Sequence, residues 1–205
     1  MSKQIDYLAL AAGILSIVLI AVSWVVPWWQ FIVGSPAIAT VNFSPVNFNF
    51  ALFNTMLTVP IIWALNIAAL LTLLAGGIAM ILYSVMPTKS YAEKIFGFGY
   101  KKPFYALLLF LIELGILYGS ATILTGFSFP LMGASVLTLP SSIAPGGISV
   151  SVAVSAGFGW TFYLAIAVVV LCIMARIFRG KVMKTSTAPP APQSVQGPMP
   201  PPPPI

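Results

Sequence analysis

Glu113 is the residue in this chain whose type and position could do chemistry. It lies in a hydrophobic stretch, Pro103 to Gly126, that is otherwise free of charge. Read as a helix, the stretch puts Glu113 roughly 16 Å beyond Lys102, near the middle of a hydrocarbon layer about 30 Å thick. A carboxylate is costly there, so the group is expected to be protonated, hydrogen-bonded to another helix, or facing water. Three roles follow: a structural hydrogen bond, a proton, cation or quinone head-group site within a larger complex, or stand-alone transport. A proton path usually needs a chain of titratable groups, and the other charged residue within these stretches, Arg176, stands two residues from the end of the fourth. With the second and third stretches antiparallel, Asn66 falls within about a turn of Glu113, and Ser16, Thr72 and Cys172 lie at similar depth. Ser120 follows Glu113 by seven residues, on the same helix face. The expectation is a polar cluster of Glu113, Asn66, Ser120, Ser16 and Thr72. In it, protonated Glu113 bonds to Asn66 or a hydroxyl, each bond contributing about 0.6–2 kcal/mol.

Other chemistries lack their residues. The chain has no histidine, one cysteine and three carboxylates, Asp6, Glu93 and Glu113. Imidazole-held haem or copper and a Ser-His-Asp triad are therefore excluded. The carboxylates are too few and scattered for an all-oxygen metal site, and Cys172 alone cannot form an intramolecular disulfide. The expected protein is not an enzyme and carries no cofactor and no metal.

The elements that must position Glu113 follow from composition. Of 205 residues, 60% are hydrophobic and 6% charged, which is not the make-up of a soluble domain. The apolar residues gather in four runs of bilayer-spanning length, about 7–29, 56–85, 103–126 and 160–178. All nine basic residues fall on one face, at or beyond the ends of these runs: Lys3; Lys89, Lys94, Lys101 and Lys102; Arg176, Arg179, Lys181 and Lys184. The outer loops, 30–55 and 127–159, carry no charge. The positive-inside rule then places both termini in the cytoplasm of a multi-pass cell-membrane protein. The net charge of +6 is thereby accounted for without nucleic acid, since no basic cluster alternates with aromatics on an exposed surface.

Tyr7 at one end of the first run and Trp24, Trp28 and Trp29 at the other read as aromatic belts. Ala21-Val22-Ser23 has the form of a signal-cleavage site, but the apolar run before it is too long, so retention is expected. Small residues at Ala9, Ala12, Gly13 and Ser16 permit close helix approach. Gly76 and Gly77 make a thin place in the second run, and Gly115 and Gly119 form a GxxxG stripe in the third. The third-run stripe is expected to pack inside its own bundle. The loop at 86–102 is short and basic, with Ile95 to Tyr100 aromatic enough to lie among head groups.

Both outer loops have strand character. Residues 37–43 and 46–50 flank Pro45, the second piece alternating with period two. Asn42-Phe43-Ser44 is a glycosylation sequon, weakened by Pro45. In the second loop, 134–139 and the strict alternation of 148–155 flank Pro145-Gly146-Gly147, a β-hairpin. Two-stranded hairpins are marginal alone, so both loops should join one sheet. Residues 181–205 hold nine prolines, Pro200 to Pro204 in a row, and read as a disordered, proline-rich cytoplasmic tail that is either inert or docks on a partner's aromatic groove.

The fold class is thus an α-helical integral membrane protein: a four-helix transmembrane bundle under a small extracellular antiparallel β-sheet. In layout over residues 7–180 this resembles the claudin-type tetraspans. That family's outer-loop tryptophan, Gly-Leu-Trp and paired cysteines are not matched: Trp28-Trp29 stand near the boundary, without a Gly-Leu-Trp or loop cysteine. The resemblance implies four helices, inside termini and a β-rich first loop completed by the second, and transfers no site residue. The expected function is a non-enzymatic membrane subunit or scaffold, contacting lipid, copies of itself or other membrane subunits. The alternative is a proton- or ion-coupled transport or respiratory-complex accessory subunit using Glu113.

Overall fold

Asp6 opens the first helix, its Oδ1 accepting from the Ala9 N–H at 3.1 Å as N-cap side chains do. The computed structural model describes residues 5–52, 55–57, 60–125, 130–139 and 150–186. The elements run α1 (Tyr7–Ser23), β1 (Trp29–Val33), β2 (Ala39–Ser44), β3 (Asn47–Leu52), β4 (Thr55–Leu57), α2 (Pro60–Val85), α3 (Ala92–Gly99), α4 (Lys102–Thr125), β5 (Gly133–Leu139), β6 (Val150–Phe158) and α5 (Trp160–Ser186). Three helical segments, Ile62–Val85, Ala92–Ile123 and Trp160–Arg179, are long and apolar enough to cross a membrane; Tyr7–Ser23 is a shorter apolar helix.

The helices run up and down. α1 packs on α2 and α5, and α4 on α2 and more lightly on α5, which makes a ring of four with the short α3 against the end of α2. Glycine permits the closest approach. A methyl group at Gly77 would sit 2.9 Å from Ile17 Cδ1 and 3.2 Å from the Gly13 carbonyl oxygen. The expected small face of α1 is the buried one: Ala9, Ala12, Gly13 and Ser16 are all covered.

Both outer loops enter one antiparallel sheet in the order β4-β3-β2-β1-β6-β5. The expected hairpin of the second loop is β5–β6, registered Ser135↔Val154 and Leu137↔Val152; its turn at 140–149 lies outside the described residues. In β6, Val154 and Ala156 face inward while Ser151, Ala153 and Ser155 face out, as period-two alternation requires. The loops are joined by β1 pairing with β6, Phe31 opposite Ala156.

Several boundaries move. The apolar pattern predicts a first helix to residue 29, yet α1 stops at Ser23 and Trp29 begins β1. Pro27 has no N–H and cannot continue the helix, and the chain turns there into a strand that the tryptophans concealed. The second run was begun at Met56, which instead lies in β4, opposite Ala51; α2 starts at Pro60, a residue suited to the first helical turn. The first outer loop therefore holds four strands. The basic loop contains α3, and α5 continues to Ser186, so the tail does not begin at 181. Cations at residues 179–184 suit a helix C-terminus. Residues 187–205 and their prolines lie outside the described residues.

Candidate functional site

The seam between α2 and α4 sets two predicted polar residues at one level. A methyl group at Gly76 would lie 2.6 Å from Lys102 Cβ and 3.2 Å from Pro103 Cδ, so these residues are level across the antiparallel pair. Glu113 is eleven residues beyond Lys102, and Asn66 is ten before Gly76. The two side chains thus fall within about one residue's rise, 1.5 Å, of the same level. They also share the seam-facing stripes, Asn66 with Ala69, Leu73 and Gly76, and Glu113 with Ala106 and Phe110, all buried. Asn66 is 4% exposed and Glu113 5%.

The expected hydrogen bond between them is not formed. Both Glu113 carboxyl oxygens and Asn66 Oδ1 are buried without a partner among the described residues. The other expected members stand apart because each hydroxyl is satisfied within its own helix. Ser16 donates to the Ala12 carbonyl at 2.8 Å, Thr72 to Ala68 at 2.7 Å and Ser120 to Leu117 at 3.0 Å. Ser16 packs beside Gly77, roughly 16 Å along the bundle from Asn66. Ser120 is exposed. Five predicted residues reduce to a pair.

The pair does not lie mid-bundle. The Phe110 ring, one turn before Glu113, is 5.1 Å from the Trp28 ring and 5.1 Å from Phe43, both at the sheet end. α4 is slid toward the sheet relative to α2: it begins opposite Gly76, nine residues short of the end of α2 at Val85. Glu113 and Asn66 therefore sit just beneath the sheet. An aromatic plug closes this level. Trp28 and Trp29, expected as exposed belt residues, are both 0% exposed. The Trp28 indole donates to Ser23 Oγ at 2.7 Å and that of Trp29 to the Leu131 carbonyl at 2.9 Å. Phe162 completes the plug, 6.4 Å from Trp28 and 5.9 Å from Phe110.

The two predicted glycine sites separate. Gly76 and Gly77 are at tight helix crossings, whereas a methyl group at Gly115 or Gly119 would meet nothing within 4 Å outside its own helix. Among the described residues, the GxxxG stripe is thus not packed within its own bundle. It runs outward among exposed Ile112, Ile116 and Ile123, the last 84% exposed. Gly115 follows the buried Ala106, and Gly119 the buried Phe110, by nine residues, which is half a turn round α4 from the seam.

The sequon is not an open loop. Asn42 lies within β2, between β1 and β3, and its Oδ1 accepts from Gln30 Nε2 at 2.8 Å. Ser44 is buried and donates to the Ser23 carbonyl at 3.1 Å.

A cluster at the opposite end of the bundle was not anticipated. Arg179 lies over Phe96 at 5.1 Å and Tyr83 at 5.7 Å, and pairs with Glu93 at 3.6 Å. Arg176 covers Tyr100 at 4.6 Å, and the Lys102 ammonium lies 4.5 Å from the Phe98 ring centre. The signal was present as aromatic residues at 96–100 and two arginines three apart, but only tertiary packing brings α3 and α5 together. No family model matches the chain, and no curated protein matches it.

Proposed function

We propose that this protein is a non-enzymatic, multi-pass membrane subunit or scaffold that packs against another copy or another membrane protein through α4. One observation carries the reading: the Gly115–Gly119 stripe is flanked by exposed isoleucines, and none of the described residues outside its own helix packs against it. Close-packing glycines favour helix association because they let backbones approach. In this reading all four long helices cross the bilayer, α1 as the shortest. Tyr7, 74% exposed, marks the inner boundary. The cations lie in the cytoplasm with both termini, and the uncharged sheet faces outward.

The test is association in membranes, by crosslinking or single-molecule counting. Gly115→Leu with Gly119→Leu should shift the wild-type assembly toward monomer while leaving the monomer folded. Unchanged assembly would falsify the α4 interface. A second reading is favoured by the unpaired buried oxygens of Glu113 and Asn66: a site for a proton or cation in a transport or respiratory-complex accessory subunit. Glu113→Gln separates the two. Normal assembly with loss of a pH-dependent activity supports the second reading, and unchanged activity removes it.

A further inference from the structure

A shallow apolar trough runs between α2 and α3 at the end away from the sheet, with a volume of about 470 Å³. Its walls are Ile78, Ala79 and Leu82 on one side and Ile95 and Phe98 on the other, with Lys94 at the rim. Ile78, Leu82 and Phe98 are each about half exposed. Lys102, outside the lining itself, brings a second ammonium to 4.5 Å from the Phe98 ring centre. The adjacent carboxylate, Glu93, is turned to Arg179 at 3.6 Å, so no acid among the described residues neutralises the trough.

We propose that this trough is a binding site for an anionic phospholipid, one acyl chain lying along Ile78, Ala79 and Leu82 and the phosphate meeting the Lys94 and Lys102 ammoniums. The inference rests on the reading that the chain spans a bilayer. An apolar channel ending in two cations complements an amphiphile with an anionic head. It does not complement a second copy, which would bring the same cationic end of the molecule with it. A phosphate between two ammoniums gains charge-assisted hydrogen bonds, and an acyl chain covers apolar surface that is otherwise half exposed.

The experiment uses the full chain, purified in mild detergent, stripped of lipid, and offered equimolar phosphatidylglycerol and phosphatidylcholine with identical acyl chains. Bound lipid is read by native mass spectrometry. Wild type should retain phosphatidylglycerol preferentially. Lys94→Gln should cut that preference about five-fold, and Lys94→Gln with Lys102→Gln should abolish it. Ala75→Phe, which fills the trough beside Ile78 and leaves both cations, should reduce retention of both lipids. Lys89→Gln, at the same end but away from the trough, should change nothing. The proposal is overturned if Lys89→Gln acts as strongly as Lys94→Gln, if Ala75→Phe retains lipid like wild type, or if lipid-free dimer replaces the lipid adduct. Carbonate extraction of membranes reports separately on the spanning reading. Release into the supernatant defeats that reading, whereas retention in the pellet with indiscriminate lipid binding defeats only the trough.

Discussion

Trp28 shows how one side chain ties the bundle to the sheet. Its backbone N–H donates to the Phe43 carbonyl at 2.9 Å, its carbonyl accepts from the Gly159 N–H at 2.9 Å, and its indole is held by Ser23. Trp28→Ala should cost about 3–5 kcal/mol through the cavity it leaves, measured by denaturation in mixed micelles; a loss below 1 kcal/mol would mean that the plug is not structural. Glycines at two sites should behave oppositely. Gly77→Ala forces a methyl group against Ile17 and the Gly13 backbone and should destabilise by about 1–3 kcal/mol. Gly115→Ala has open space and should leave the isolated fold unchanged or stabilise it by up to about 1 kcal/mol. The residue types at these sites were legible in the sequence. Which glycine meets a neighbour was not, because GxxxG spacing fixes a face of a helix and leaves its occupant open.

Among elements, α1, β1 and α5 meet at a close junction. Thr161 Oγ1 donates to the Pro27 carbonyl at 2.8 Å, and a methyl group at Gly159 would sit 2.6 Å from that same carbonyl oxygen. Gly159→Ala should therefore loosen the β6–α5 entry, seen as faster amide exchange in β6 and β1. Protection equal to wild type would show that the junction yields without cost. The β5–β6 hairpin could be read directly because alternation and a Pro-Gly-Gly turn are local signals. β1 could not, since Trp29 to Val33 is as apolar as a helix end and acquires strand pairing only from β2 and β6. The slide of α4 toward the sheet was likewise invisible. Similar span lengths imply level helices, whereas the Gly76–Lys102 contact fixes an offset α2–α4 register.

For the whole molecule, the proposed orientation predicts that a cysteine at Gln196 and one at Gly147, each in a Cys172→Ala background, label from opposite sides of a sealed membrane. Labelling from one side would end the four-span proposal. Sequence alone determined that long apolar helices alternate with uncharged strand-forming loops, that cations gather toward one end of the helices, and that the chain has no histidine. Each of these is a property of composition and local period, which burial and propensity translate without reference to distant contacts. Only the tertiary structure decided that Glu113 lies level with Asn66 beneath the sheet, that Ser16, Thr72 and Ser120 turn to their own helices, and that the α4 glycines look outward. Those outcomes depend on how far one helix slides along another, and that is settled by a few close contacts between residues distant in the chain.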